Sequence, residues 1–284
     1  MIRTRPVPIS FLTKERFNGP GFVLGRRVSG LLQEPFDRDA LQKRVLRKDR
    51  DGKNAEMAYY IDTRALSLRL DQVLGANNWG TNIFEVKDAG DRLCVVATLT
   101  IGGSSRDAEG EELKQKRGWQ SPADKAAGKE APLVSEDLVF MKAGPQARKR
   151  AAVEFGVGAY LYGFSDVNTW EPLNDKGFPK DSNIDMLKLP EWARPTPGPT
   201  LVTREAAYLL NIQLPKDMSQ TSKEDIETIK NFLAMNFGVE TLSAGFSRED
   251  YIELASVIAR ISDCLDANGG TFEDLIAPLL TTKN

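Results

Sequence analysis

The sequence predicts an α+β fold in which a short antiparallel β-sheet packs against helices and a helical module follows at the C-terminal end. Two strand-like runs, residues 80–87 and 92–101, flank the turn sequence Asp88-Ala-Gly-Asp91, which is typical of a β-hairpin. Apolar residues at the three- and four-residue spacing of an amphipathic helix recur before this hairpin and after it. The C-terminal part of the chain contains two more such patterns.

The N-terminal part of the chain contains only short elements. Residues 1–35 are punctuated by Arg, Gly and Pro, which predicts an irregular arm with one short element near residues 22–24. A short strand or helix is expected at residues 41–47, and an extended run at residues 57–61. These elements lead into the first clear helix.

That helix is predicted over residues 64–74. Leu66, Leu70 and Val73 recur on one of its faces, and Gly75 is a natural stop after its last turn. The turn Ala76-Asn-Asn78 and then the predicted hairpin follow.

A polar stretch follows the hairpin, over residues 102–130. It is dense in Lys, Glu, Gly and Asp, which predicts a long, mobile hairpin or loop. Trp119 is its one aromatic residue. Two interpretations of Trp119 stay open, because its ring can anchor the loop to the body of the protein or serve as a platform on which a nucleic-acid base stacks.

A second helix, which carries a cluster of cations, is predicted to begin near residues 144–145. Its apolar positions are Ala147, Ala151, Ala152, Phe155 and Ala159. The cations of Arg148–Arg150 then lie in its first turns, where the helix macrodipole disfavours positive charge, and this indicates an external anion. The alternative is a solvated helix face on which Arg150 pairs with Glu154, four residues further on.

Three motifs, in order along the chain, resemble the single-strand annealing proteins of the Rad-fifty-two superfamily. They are Asp62–Gly75 with Trp79 after it, Ala147–Tyr162 and Leu189–Pro195. The resemblance spans roughly residues 31–195. Within the superfamily the chain is most similar to the bacterial DNA-damage-response proteins and to related phage annealing proteins.

The resemblance implies an ATP-independent protein that binds single-stranded DNA and anneals complementary strands in recombination or repair. Members of the superfamily assemble into homo-oligomeric rings whose positively charged groove holds the strand. A Lys-Arg pair lines that groove and matches Lys149 and Arg150, while an arginine that opens the preceding helix matches Arg64. Val153 stands where the eukaryotic branch has a third cation. Further groove charge is expected from Arg148, Lys142, Lys43 and Arg44.

Composition argues against most enzymes and against a cofactor. The chain has no histidine, which removes the usual general base and most zinc ligand sets, and its acidic residues show no paired spacing for a magnesium site. Its two cysteines have no CxxC partner, and no phosphate-binding loop of the GxxxxGK type occurs. No apolar stretch is long enough to span a membrane, so a cytoplasmic protein is expected. The resemblance implies a nucleoid-associated protein of a bacterium or phage.

The C-terminal part is predicted to be an acidic helical module. Residues 221–284 carry a net charge of −6, against +4 for the residues before them. Thr221-Ser-Lys-Glu224 fits a capping box for a helix that stops near Gly238, and Ser247 opens another helix. This module is expected to bind a single-strand-binding protein or another repair partner. The alternative function for the whole chain is a non-catalytic scaffold that recruits a protein partner through this acidic tail.

The predicted domain organisation has four parts. An N-terminal arm over residues 1–35 precedes the annealing core over residues 36–165. A proline-rich strap and linker follow over residues 166–200, because six prolines there cannot all lie in regular structure. The acidic helical module occupies residues 201–284.

Overall fold

The computed structural model describes residues 24–115, 121–166, 170–175, 177, 179, 189–239 and 246–270, and it confirms the predicted α+β class. The α-helices described are α1 (Arg26–Gln33), α2 (Thr63–Leu74), α3 (Pro122–Ala126), α4 (Glu136–Val153), α5 (Gly198–Leu209), α6 (Lys223–Phe237) and α7 (Arg248–Asn268). The strands are β1 (Leu41–Lys48), β2 (Asn54–Ile61), β3 (Trp79–Asp88), β4 (Arg92–Ile101), β5 (Ser104–Leu113) and β6 (Trp170–Pro172). Short 3₁₀ turns lie at Arg38–Ala40, Ala159–Asp166, Glu191–Ala193 and Met218–Gln220.

The chain divides into two compact units. Among the described residues, the sheet unit comprises those within 39–67 and 79–179, and the helical unit comprises 24–38, 68–78 and those within 189–270. The four predicted domains stay a prediction.

The first antiparallel sheet has the strand order β1-β2-β6. Successive residues of β2 alternate between buried and half-buried, with Ala55, Met57, Tyr59 and Ile61 on the buried face. The expected extended run at residues 57–61 is therefore confirmed, and the strand begins three residues earlier, at Asn54. Alternation of this kind places the intervening residues of β2, including Tyr60, on the opposite face.

The second antiparallel sheet has the order β3-β4-β5, and its β3–β4 pair confirms the predicted hairpin. Strand β5 pairs with β4 along its whole length, so the prediction of a mobile hairpin or loop is wrong for these residues. The connection is the dipeptide Gly102-Gly103, whose φ angles of 51° and 85° suit a two-residue hairpin turn. The apolar alternation that would reveal a strand is missing because β5 is mostly exposed and polar.

The helix that carries the cation cluster begins earlier than predicted. α4 starts at Glu136 after the N-cap residue Ser135, and Pro145 lies inside it, so the predicted start near residues 144–145 is wrong. The cations of Arg148–Arg150 consequently lie in its last turns, where the macrodipole favours positive charge. The argument for an external anion from helix position alone therefore no longer holds, and any anion site must be argued from the surroundings of each side chain.

α4 packs on the second sheet through small residues. Val139, Ala143, Ala147 and Ala151 recur every four residues and are fully buried. They face the sheet at Gly110 of β5, where an added Cβ atom would lie 2.6 Å from the backbone nitrogen of Ala147 and closer still to the carbonyl oxygen of Ala143. The backbones of helix and strand therefore touch at this point, and the position of every side chain on α4 depends on the contact.

The helical unit is built around α7. This helix is buried without interruption from Leu254 to Ser262, and its predicted N-cap, Ser247, is confirmed by a complete capping box with Asp250. The N-cap of α6 is Ser222 instead of the predicted Thr221, and α6 ends before Gly238 as predicted.

Arg26–Gln33 forms the helix α1, where an irregular arm was predicted. Its apolar residues Val28, Leu31 and Leu32 are buried, and the carboxylate of Asp263 on α7 accepts hydrogen bonds from the backbone nitrogens of Arg27 and Val28. Because this cap comes from a distant part of the sequence, no local pattern announces the helix. None of the helices in the described ranges is both long and apolar enough to cross a membrane.

Candidate functional site

A tyrosine of the first sheet lies beside two cations. Tyr60 is on the face of β2 opposite the buried Tyr59, and its ring centroid is 5.1 Å from the Nζ atom of Lys149 on α4. The guanidinium carbon of Arg44 on β1 is 6.0 Å from the same centroid. Both distances are within the range of cation–π attraction. We call Arg44, Tyr60 and Lys149 the cationic cluster.

The register of the first sheet explains how Arg44 reaches this place. Gln42 pairs with Tyr60 and Arg44 pairs with Ala58, so Arg44 and Tyr60 are diagonal neighbours on one face of the sheet. Lys149 reaches the same face from the C-terminal turns of α4. The cluster thus joins residues from three elements of the sheet unit.

The positive charge of the cluster is not neutralised within the described part of the chain. No carboxylate there is within ion-pair distance of Lys149 or Arg44. Burial lowers the pKa of the half-buried Lys149 ammonium, the charge of Arg44 lowers it further, and Asp62 opposes them more weakly. The Asp62 carboxylate already accepts a hydrogen bond of 2.8 Å from the backbone nitrogen of Ala65 in the first turn of α2. An anion placed beside Lys149 would relieve this electrostatic cost.

The pKa of Lys149 predicts how the binding of an anion depends on pH. A bound anion favours the protonated ammonium, so the pKa of Lys149 is higher in the complex than in the free protein. Affinity should be full below the lowered pKa and should fall as the pH rises through it, before ordinary lysines with a pKa of 10.5 lose their protons. Anisotropy titrations of an oligonucleotide from pH 7 upward measure this, and Lys149→Arg should remove the early fall because arginine stays charged. An identical pH profile for both proteins would show that the bound anion does not contact Lys149.

Arg150, unlike Lys149, lies among acidic residues. Its guanidinium donates a hydrogen bond of 2.8 Å to the backbone carbonyl of Glu109 on β5, and the nearby carboxylates of Asp107, Glu109 and Glu154 line the same pocket. The alternative of an Arg150–Glu154 ion pair is not formed. Consecutive helix residues point about 100° apart, so Lys149 and Arg150 contact different parts of the sheet unit.

The other predicted cations are placed as follows. Lys43 lies on the opposite face of β1 from Arg44, and its mostly buried ammonium pairs at 2.6 Å with Glu171 of β6. The Lys142 ammonium is exposed and pairs at 3.1 Å with Glu112. Arg64 is exposed in the first turn of α2, and no hydrogen bond or ion pair joins it to the rest of the described chain.

Arg148 is half-buried, and its buried Nε atom has no hydrogen-bond partner among the described residues. Val153 is half-buried in the last turn of α4, whereas Trp119 lies outside the described residues. Across the described ranges, no group of three or more Cys, Asp or Glu side chains is placed to hold a metal ion.

Sequence reasoning did not select Tyr60. The signal that indicates it is the run Met57-Ala-Tyr-Tyr-Ile61, because a strand that buries Tyr59 must turn Tyr60 to the opposite face. The half-buried Tyr60 thus lies among cations, and aromatic rings beside cations are the usual composition of a single-strand binding surface.

The chain is similar to two bacterial proteins along most of their length, whereas no family model matches it. It is 34% identical over 196 residues to the single-stranded DNA-binding protein DdrA of Deinococcus deserti, which covers 66% of this chain and 81% of that protein. It is 29% identical over 192 residues to the protein of the same name from Deinococcus radiodurans, which covers 66% of this chain and 78% of that protein.

Proposed function

Since this chain belongs to the DdrA family of single-stranded DNA-binding proteins, we propose that it binds single-stranded DNA through the cationic cluster and anneals complementary strands. Annealing is ATP-independent in this proposal and serves recombination and DNA repair. The protein is a non-enzymatic, cytoplasmic homo-oligomer, a ring as in its superfamily, and needs no cofactor.

The observation that carries the proposal is the pair of unneutralised cations around the half-buried Tyr60. A protein that pairs complementary strands must hold their phosphates, tolerate any sequence and leave base edges free. Lys149 and Arg44 supply charge for phosphates, while the ring of Tyr60 offers a face on which any base stacks. Base–aromatic stacking contributes about 1–3 kcal/mol per base, and it leaves the Watson–Crick edge exposed.

Other predicted residues have lesser roles in the proposal. Exposed Arg64 and half-buried Arg148 extend the path of the strand, and the family motif assigns Arg150 to the same path. Lys142 contributes positive charge to the path when its ion pair with Glu112 is broken. Trp119 is a further candidate for base stacking. Lys43 supports the site indirectly, since its pair with Glu171 holds β6 on the sheet that carries Tyr60.

A strand-annealing assay tests the proposal. Two complementary oligonucleotides that carry a fluorescence donor and acceptor are mixed without nucleotide, and the rate of pairing is measured with and without protein. The wild type is expected to accelerate pairing, and Tyr60→Ala is expected to lose about 5- to 150-fold of this acceleration, since stacking of about 1–3 kcal/mol is removed. Lys125→Glu alters an exposed lysine of α3 and is the control that should anneal like the wild type. Binding without accelerated pairing would restrict the function to DNA binding.

The scaffold alternative is constrained by the helical unit. α7 is buried within that unit along most of its length, so its apolar stripe is not free to bind a partner. A partner would have to bind α6, whose first turn is acidic and whose Met235 is 84% exposed. We propose this surface as the place where a single-strand-binding protein or another repair partner docks.

A further inference from the structure

A second aromatic residue lies on the face of the first sheet that carries Tyr60. Trp170 of β6 pairs with Glu56 of β2, and Glu56 precedes Tyr60 by four residues on the same strand. Residues that pair directly across two strands share one face of a sheet, and so do residues an even number apart on a regular strand. Trp170 and Tyr60 therefore lie on the same side, and 39% of Trp170 is exposed. The cationic cluster does not include this indole.

A bulge in β1 brings a cation to the same face. The register of β1 with β2 shifts at Leu46, so that Arg47 pairs with Glu56. Without the shift Arg47 would lie on the face opposite Arg44, because an odd number of residues separates them. With the shift, the guanidinium carbon of Arg47 lies 5.6 Å from the ring centroid of Trp170, which is within cation–π range.

The indole is held in place from the opposite face of β6. The carboxylate of the next residue, Glu171, accepts a hydrogen bond of 2.8 Å from the hydroxyl of Tyr59 and pairs at 2.6 Å with the ammonium of Lys43. Both contacts lie on the buried side of the sheet and fix the three-residue strand that carries Trp170. Because the indole is positioned before a ligand arrives, little conformational entropy is lost when one binds.

The charged groups around the two rings are net positive. Arg44, Arg47 and Lys149 supply three cations against the carboxylates of Glu56 and Asp62. Arg47 forms an ion pair with Glu56, so it steadies the indole and is not assigned to a phosphate. The surface at Trp170 thus offers an aromatic ring without net charge, next to cations that can hold the backbone of a nucleic acid. This chemistry suits a base and not a phosphate.

We propose that Trp170 is a second base-stacking position for the strand that the cationic cluster holds. The Cα atoms of Trp170 and Tyr60 are about 14 Å apart, from about 3.3 Å per residue along β2 and about 4.8 Å between neighbouring strands. A stacked strand rises about 3.4 Å per nucleotide, so about four nucleotide steps join the two rings. This inference rests on the proposed function, because it extends the site proposed to hold DNA.

The affinity for a labelled oligo-dT tests this position. Trp170→Leu keeps an apolar side chain but removes the ring, and it should weaken binding about 5- to 150-fold, the loss of one stacked base. Trp170→Phe keeps a ring and should recover most of the affinity. Both variants should retain the wild-type slope of log affinity against log salt, because no phosphate contact is lost.

The matched control is Trp192→Leu, which alters another exposed tryptophan, in the helical unit, and should bind like the wild type. Circular dichroism checks that each variant is folded. Wild-type affinity in Trp170→Leu, or a loss that is equally large in Trp170→Phe, would overturn the inference. A reduced salt slope in Trp170→Leu would also overturn it, since the residue would then act through phosphate contacts.

Intrinsic fluorescence provides a second readout of the same complex. A base stacked on an indole quenches its emission, so the wild type should lose more emission on binding oligo-dT than Trp170→Phe does. Equal quenching in the two proteins would show that no base stacks on Trp170.

The possible outcomes separate this inference from the proposed function. If Trp170→Leu binds and anneals like the wild type, only the second stacking position is overturned. If the wild type binds no oligo-dT, the proposed function is refuted and the inference with it. If a second copy of the chain covers Trp170 instead, Trp170→Leu should change the sedimentation velocity of the protein and leave the affinity for oligo-dT unaltered, which would overturn the inference.

Discussion

Replacing Arg44 and Lys149 together by glutamate should weaken the binding of oligo-dT about 10²- to 10³-fold near 0.1 M salt, since each lost phosphate contact also loses its counterion release. Both cations lack a carboxylate partner in the described chain, so their charge is available to DNA. The new carboxylates would in addition repel the strand.

Fluorescence anisotropy of a labelled oligo-dT measures this loss. Lys125→Glu is the control, because it reverses one exposed lysine of α3 that is not part of the cluster. Lys149 is half-buried, so a second pair, Arg44→Gln with Lys149→Gln, guards against a misfolded protein, and circular dichroism checks each variant. A loss no larger than that of the control would refute the assignment of the cluster to DNA.

Gly110→Ala should lower the free energy of unfolding by about 3 kcal/mol or more, at the upper end of the range for overpacked positions. The added methyl would lie 2.6 Å from the backbone nitrogen of Ala147 and even closer to the carbonyl oxygen of Ala143. Both atoms belong to the backbone of α4, so no side-chain rotation relieves the clash. The helix would have to move away from β5, and Lys149 would move with it.

Urea unfolding measures this cost, and Gly80→Ala is its control. Gly80 lies on β3 of the same sheet, and an added Cβ there has no atom within 4 Å, so its stability should change by less than about 0.5 kcal/mol. Gly110→Ala should also weaken DNA binding, whereas Gly80→Ala should not. Equal stability of the two variants would show that α4 and β5 are not in backbone contact.

The sequence predicted well those helices and strands that have one apolar face and that end at a nearby glycine or turn. The helix predicted at residues 64–74 has such a pattern, and Gly75 follows its end. The hairpin predicted at residues 80–101 has one too, and the Asp88–Asp91 turn joins its two strands. The start of α4 was missed because Leu138, Phe140 and Met141 are exposed, which blurs the apolar period of its first turns. Pro145 was therefore interpreted as the start of the helix, although it lies inside it.

Strand β5 and helix α1 were missed for a different reason. Each is stabilised by a partner that no local sequence pattern reveals. β5 is stabilised by its ladder with β4, and the Gly102-Gly103 turn was its one local signal. α1 receives its cap from Asp263, more than 230 residues away.

The candidate site was predictable in part. The family resemblance selected Lys149, and the charge pattern selected Arg44 as one cation among several. Their meeting at Tyr60 depends on the register of β1 with β2 and on where α4 ends, which no sequence spacing reveals. The ion pair of Lys43 with Glu171 could not be predicted from the sequence either, since 128 residues separate the partners.

The most direct test of the central claim, that the cationic cluster holds the phosphates of single-stranded DNA, is the salt dependence of oligo-dT affinity. The wild type is compared with the neutral variant that carries Arg44→Gln and Lys149→Gln. Each phosphate contact contributes about 0.7 to the slope of log affinity against log salt, so the variant should lose about 1.4 from the slope. Equal slopes for the two proteins would show that the cluster contacts no phosphate.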